Sequence, residues 1–233
     1  DNLKEVKPTV FFGVPRIFER FQAGVAATLG EATGVKARIA EWARGIGTQV
    51  TNLRNRGQSA SGLLALQHSI ADKLVFSKVK EGLGLTEARV MITSAAPISP
   101  EILHYLGSLD LPMMELYGQS EDCGPTTTNR PGAIKVGTVG QAWPGSEVKL
   151  GPDNEILVKG PNVFLGYFKN KAATEADLVD GWLHSGDLGE FDEDGFLRII
   201  GRKKEIIITS GGKNIAPKNI EAALKNLEMV SQA

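Results

Sequence analysis

Residues 89–101, Arg89-Val90-Met91-Ile92-Thr93-Ser94-Ala95-Ala96-Pro97-Ile98-Ser99-Pro100-Glu101, decide the fold class. Arg89 to Thr93 is a short β-rich run, and Ser94 to Ile98 is a tight turn of small residues. Ser99-Pro100-Glu101 then opens a helix. The serine can cap it, the proline suits a first helical position, and the acid suits the positive helix end. A second buried strand is predicted over Leu111 to Leu116. Strand, turn, helix, strand is a βαβ unit, and ligands in such α/β sheets sit beyond the carboxyl ends of strands. The 94–97 turn and the block Tyr117-Gly118-Gln119-Ser120-Glu121 both fall at such ends.

Upstream, residues 1–88 are predicted to be helical. Ile17, Phe18, Phe21 and Val25 share one helical face, as do Ile39, Trp42, Ile46 and Val50, and then Leu66, Ile70 and Leu74. Residues 55–62 form the loop between the last two helices. Downstream, 131–200 reads as all-β. Glu155 to Lys159 is a strand between turn clusters, and Asp194-Gly195 is a hairpin signal between Leu188–Asp192 and Phe196–Ile200. Short strands at this spacing predict a small β-barrel. After Gly201 come a β-rich run, Glu205 to Thr209, and a turn, Ser210 to Asn214. Pro217 then opens a helix with Ile220, Leu224 and Leu227 on one face, the start of a second domain.

The chain has 233 residues, 42% hydrophobic and 23% charged, enough for one or two domains with a real core. Its formal net charge of −1 supplies no global field for nucleic acid, so no nucleic-acid partner is expected. The single cysteine, Cys123, excludes an internal disulfide framework, fits a reducing, cytoplasmic compartment and reads as packing. No apolar run reaches 18 residues, so no membrane-spanning helix is expected, while a peripheral membrane contact stays open. Asp1 to Val6 reads like the middle of an amphipathic helix and 226–233 breaks off without a cap. An internal fragment of a longer protein is therefore expected. No oligomeric state is read from the sequence.

Three polar blocks carry chemistry. In the first, Tyr117 can stack on a flat base, Gly118 lets the backbone approach closely, Ser120 can contact a phosphate and Glu121 can hold Mg2+. Each also has a plain structural reading: a core tyrosine, a turn serine, a solvated acid. In the second, Trp182 to Asp187, the carboxylate of Asp187 can accept from both hydroxyls of a ribose. In the third, Gly201 to Glu205, Arg202 lies fifteen positions from Asp187 across one hairpin and can reach the same pocket. Lys203 and Lys204 read as solvated. Gly211-Gly212 is a tight turn or a surface that a phosphorylated ligand approaches. His184 reads as structural, and His68 and His104 receive no role.

Ser94–Pro97, Tyr117–Glu121, Gly160–Tyr167, Trp182–Asp187 and Gly201–Glu205 with Gly211-Gly212 together resemble the ordered core motifs of adenylate-forming enzymes. Residues 7–19 and 206–215 are similar to the long-chain fatty acyl-CoA synthetases, with a flavour of the bubblegum-like branch. The resemblance implies an α/β fold. The C-terminal half of a large AMP-binding domain would span 1–202 (helical 1–88, βαβ 89–130, β-barrel 131–200). A hinge and the start of a small α+β domain would follow at 203–233.

The resemblance also implies a fatty acid–CoA ligase of lipid metabolism that binds ATP or AMP, Mg2+, a fatty acid and coenzyme A. Ala95 and Ala96 would line the adenine pocket and Tyr117 would stack on the base. Ser120 would touch the α-phosphate, Glu121 would bind Mg2+, Asp187 and Arg202 would hold the ribose, and Lys204 would be the hinge. Some relatives carry lysines at positions matching Ile208 and Ser210; this sequence has neither, so no residue is assigned to coenzyme A. The family's phosphate loop and main catalytic lysine match nothing within 1–233, so weak or no turnover is expected of these residues alone. An aryl-CoA ligase, an amino-acid adenylation domain and a non-catalytic nucleotide-binding module are the alternatives.

Overall fold

The computed structural model describes residues 2–208, with Asn214, Ile215, Pro217, Ile220, Glu221, Leu224 and Val230. Gly211 and Gly212 lie outside the described residues, as does most of the helix expected after Pro217. The chain divides into two compact units, Asp1–Met114 with Arg130–Val136, and Glu115–Asn129 with Gly137–Ala233.

The first unit runs α1 (Asn2–Val6), β1 (Val10–Gly13), α2 (Pro15–Gly30), α3 (Gly34–Asn55), α4 (Gly62–Ala71), a π-helical turn (Asp72–Phe76), α5 (Ser77–Leu83), β2 (Val90–Thr93) and α6 (Pro100–Gly107). β1 departs from the helical expectation for 1–88. Its four residues pair in parallel with β2, Phe11 opposite Met91. A run that short carries no period of its own, so pairing rather than pattern decides it. α6 starts as expected: the Ser99 hydroxyl accepts the Glu101 N–H at 3.2 Å and Pro100 holds the first position.

Two apolar clusters hold this unit together. Phe18, Leu85, Met91, Leu103, Leu106 and Met113 form the first, with the rings of Phe11, Phe18 and Phe21 5.7–6.0 Å apart. Ala43, Ile46, Val50, Val75 and Phe76 form the second. Full burial of a Phe or Leu side chain is worth about 1.5–3 kcal/mol. Close packing of α3 on the end of α6 depends on Gly47, where a Cβ would stand 2.1 Å from the Ser108 carbonyl oxygen.

The third predicted stripe behaves differently. Its Leu66, Ile70 and Leu74 are 60, 44 and 43% exposed, and Leu63 beside them is 69% exposed. The buried side of this helical run is Ala71, Val75 and Phe76, and the π turn advances the phase between them. Beside the run lies a groove of about 630 Å³ between α2, α3 and α5. Its floor is apolar (Phe21, Leu29, Leu74), and its charged lining residues are Arg20, Lys36 and Lys78 with no carboxylate.

The second unit begins within β3 (Met114–Tyr117), which pairs antiparallel with β4 (Thr127–Thr128), and β4 with β5 (Gln141–Ala142). Then follow β6 (Glu147–Leu150), β7 (Glu155–Lys159), α7 (Lys171–Asp177), β8 (Leu178–Val179), β9 (Trp182–Phe191) and β10 (Leu197–Arg202). The long strands form an antiparallel sheet in the order β10–β9–β7–β6 with β8 beside β9. At its β10 edge the ladder is bonded further, the Val139 N–H donating to the Leu197 carbonyl at 2.8 Å and the Leu197 N–H to the Gly140 carbonyl at 2.7 Å. Ile156, Val158, Leu183 and Leu197 make its core. α7 interrupts the all-β expectation; the Asn170 side chain accepts the Ala173 N–H at 3.1 Å and starts the helix. Asp194-Gly195 forms the expected hairpin, with Gly195 at φ 76°. β11 (Ile207–Ile208) pairs antiparallel with β12 (Asn214–Ile215).

Candidate nucleotide site

The hairpin of β9 and β10 sets Arg202 directly opposite Asp187. That register turns a sequence separation of fifteen into a contact: Arg202 Nε lies 3.0 Å from Asp187 Oδ1. The other carboxylate oxygen, Oδ2, accepts the Tyr117 hydroxyl at 2.7 Å. Asp187 is 5% exposed, and its own N–H is taken by the Ser185 hydroxyl at 3.0 Å. Burial, and then the negative charge of Asp187, push the Tyr117 phenol far above its ordinary range, so it stays a donor. A carboxylate has about four lone-pair positions. Two of Asp187's are used here, which leaves capacity for a pair of hydroxyls.

Tyr117 ends β3, with its ring against the sheet core. The chain then turns sharply. A Cβ on Gly118 would lie 1.6 Å from the Gly124 carbonyl oxygen, so no other residue fits. Ser120–Asp122 is a single 3-10 turn, in which the Gln119 N–H donates to Asp122 Oδ1 at 2.9 Å. Asp122, 1% exposed, also accepts the Thr126 hydroxyl, and burial raises its pKa against these donors. This clip holds Ser120 on the exposed side of the turn and Glu121 beside it.

Tyr167 lies with its hydroxyl 3.0 Å from both Glu121 Oε1 and Asp177 Oδ2. One phenol proton serves two acids, and burial followed by those acids drives its pKa far upward. Glu121 Oε2 has no protein partner among the described residues. One hard carboxylate oxygen, completed by waters and phosphate oxygens, is a set that Mg2+ accepts. Among the described residues, no cluster of three or more metal-ligating side chains exists.

Ala95 and Ala96 belong to the first unit. They sit exposed in the turn after β2, Ala95 at φ 74°, a left-handed conformation that costs a non-glycine residue roughly 1–2 kcal/mol. Lys204 is exposed in the turn after β10, where the N–H groups of Glu205 and Ile206 donate to the Arg202 carbonyl. Cys123 is exposed at φ 58° rather than packed.

Four acids or hydroxyls of this region received no role from the sequence: Asp122, Tyr167, Asp177 and Glu155. Lys203 departs from its solvated reading. Its Nζ donates to Asp153 Oδ2 at 2.5 Å and Glu155 Oε2 at 3.0 Å. His184 Nδ1 lies 3.2 Å from Glu155 Oε2.

The chain is 42% identical over 230 residues to the long-chain-fatty-acid–CoA ligase ACSBG2 of Xenopus laevis, covering 96% of this chain and 31% of that protein. It is 41% identical over 221 residues to the putative fatty-acid–CoA ligase fadD11 of Mycobacterium tuberculosis, covering 94% and 39%. The chain thus spans 31–39% of the length of these relatives. Among solved structures, the o-succinylbenzoate CoA synthetase (MenE) of Bacillus subtilis with its acyl-adenylate intermediate superposes at a TM-score of 0.60 and 31% identity. That match covers 63% of this chain and 32% of the synthetase. Residues 1–168 match the family of AMP-binding enzymes, and with the site geometry above this makes the chain a member of that family.

Proposed function

We propose that this chain is the nucleotide-holding part of an AMP-forming long-chain fatty acid–CoA ligase. The observation that carries the reading is the convergence of Tyr117 and Arg202 on the buried carboxylate of Asp187. Identity of about 40% to fatty acid–CoA ligases along nearly the whole chain supports the substrate class. The B. subtilis synthetase has been solved with ATP and a magnesium ion, which supports ATP and Mg2+ here.

In this reading Asp187 accepts the ribose hydroxyls while Arg202 holds its carboxylate in place. Tyr117 offers a ring face to the adenine, and Ala95 and Ala96 line the adenine's surroundings. Ser120 donates to the α-phosphate, and Glu121 would hold Mg2+. The metal, when bound, draws charge from the phosphates. The acid's carboxylate attacks the α-phosphorus and pyrophosphate leaves. The coenzyme A thiol then displaces AMP from the acyl adenylate, after a rotation near Lys204. Residues 1–202 belong to the large domain and 203–233 to the hinge and small domain.

Pyrophosphate–ATP exchange tests this. It is run on residues 1–233 and on a chimera carrying them in place of the matching stretch of the Xenopus relative, with fatty, aryl and amino acids in turn. We expect fatty-acid-dependent exchange in the chimera and little or none in residues 1–233 alone. Exchange with aryl or amino acids but with no fatty acid would overturn the substrate class.

We also propose a peripheral contact with a lipid surface on the cytoplasmic side. Among the described residues no helix is long and apolar enough to cross a membrane. The stripe Leu63, Leu66, Ile70 and Leu74 is exposed, and the adjoining groove carries three cations and no acid. An apolar stripe beside a cation-lined groove suits an anionic interface. Residues 1–233 should co-sediment with vesicles containing phosphatidylserine, less with phosphatidylcholine alone, and not when Leu66 and Ile70 are both changed to Glu. Equal sedimentation of that double variant would remove the proposal.

A further inference from the structure

We propose that Glu155 is a positioning residue that couples ligand engagement at Asp187 and Arg202 to the segment 203–206. The inference rests on the reading of Asp187 as part of a nucleotide site. Glu155 is 6% exposed at the start of β7, and both its oxygens are engaged. Oε1 accepts the Gly186 N–H at 3.0 Å. Oε2 faces Lys203 Nζ at 3.0 Å and His184 Nδ1 at 3.2 Å.

Gly186 precedes Asp187 and Lys203 follows Arg202. Each residue of the Asp187–Arg202 pair therefore has a chain neighbour bonded to one buried carboxylate. A further bond closes the ring, because the Lys203 N–H donates to the Gly186 carbonyl at 2.8 Å. Burying a carboxylate is expensive unless its acceptors are satisfied, so Glu155 fixes its three partners relative to one another. A ligand that shifts Asp187 or Arg202 pulls on Gly186 or Lys203, and through Glu155 on both. Solvation alone would leave Lys203 free to ignore the site. Burial raises the pKa of Glu155, but the Lys203 ammonium, His184 and the Gly186 N–H outweigh it and hold the net value below the ordinary glutamate range. The ring is therefore charged at neutral pH.

The test is amide hydrogen exchange on residues 1–233 with and without AMP. AMP is expected to slow exchange of the 203–206 amides by at least ~5-fold, the low end of ordinary coupling. Glu155→Gln keeps an oxygen for Gly186 and loses the buried charge that ties Lys203 to Gly186, leaving Lys203 only its surface pair with Asp153 at 2.5 Å. It should bind AMP with nearly unchanged affinity and lose that protection. If this variant does not fold, Lys203→Met reports the same loss, because Lys203 is half-exposed, and Lys203→Arg should restore coupling. Protection transmitted undiminished through E155Q or K203M overturns the proposal.

If AMP does not bind at all, the nucleotide reading fails instead. The coupling is then decided without ligand, by a double-mutant cycle of D187N with E155Q read at the 203–206 amides. Non-additivity of at least ~5-fold supports it, and additive effects overturn it.

Discussion

Asp110→Asn should lower the unfolding free energy of the first unit by about 2–4 kcal/mol at pH 7. Asp110 follows the α6 turn at φ 61°, and its side chain is 6% exposed. Arg54 and Lys80 each reach one of its oxygens at 2.5 Å, and His68 Nε2 lies 3.0 Å from Oδ1. The pairing joins α3, α4 and α5 to the end of α6 through one buried anion. Removing that charge leaves Lys80, 20% exposed, without its closest counter-ion. The figure sits below the usual range for a broken buried pair because Arg54 is 45% exposed and regains water.

Burial raises the Asp110 pKa, but Lys80, Arg54 and His68 outweigh it, so the folded value lies below the unfolded one. A depressed acid stabilises the fold above its unfolded pKa and loses that contribution as pH falls through the folded value. The gap between wild type and variant should therefore shrink as pH drops below about 4. Asparagine tolerates positive φ, so Asp110→Ala should cost about 1 kcal/mol more. Urea unfolding at pH 7 and pH 3.5 checks all three statements. A D110N midpoint equal to wild type at pH 7, or a gap that widens in acid, contradicts them.

How much of this was legible in the sequence depended on how local the cause was. The cap at Ser99 and the turn at Asp194-Gly195 are short-range steric rules, and both elements formed where the residues dictate. A hairpin also fixes register, which is why Asp187 and Arg202 could be paired from spacing alone. Periodicity located the stripe Leu66, Ile70 and Leu74 but could not say which side of that helix faces a core. The deciding groups were Ala71, Val75 and Phe76 beyond a π turn. β1 escaped because its strand character exists only through β2. In the site, Glu121 could be nominated, yet its partner Tyr167 lies 46 positions away and Asp177 on a helix the reading did not contain. Glu155 is 31 positions from Gly186 and 48 from Lys203, and no local signal distinguishes it from an ordinary strand-edge acid. Lone acids default to solvent in any sequence reading; three-dimensional convergence of donors marks the exceptions.

The second large effect concerns the ribose. Residues 1–233 should bind AMP about 10–100-fold more tightly than 2′,3′-dideoxy-AMP, since a hydroxyl pair on a buried carboxylate is worth about 1.5–3 kcal/mol. Asp187→Ala should weaken AMP by that same factor and leave the dideoxy nucleotide nearly unaffected, so the two nucleotides become equivalent. The comparison separates a direct contact from general damage. Loss of Asp187 also frees the Tyr117 hydroxyl and Arg202, and any loosening of the pocket would weaken both nucleotides together. Arg202 is half-exposed and rehydrates readily, so the collapse of nucleotide selectivity should exceed the fall in stability. Arg202→Met should give a smaller, intermediate loss, because it removes the orienting cation and keeps the acceptor. Calorimetric titration of both nucleotides into wild type, D187A and R202M measures each arm. Preference for AMP retained undiminished in D187A would mean that the ribose is held elsewhere and that the buried carboxylate serves the hairpin alone.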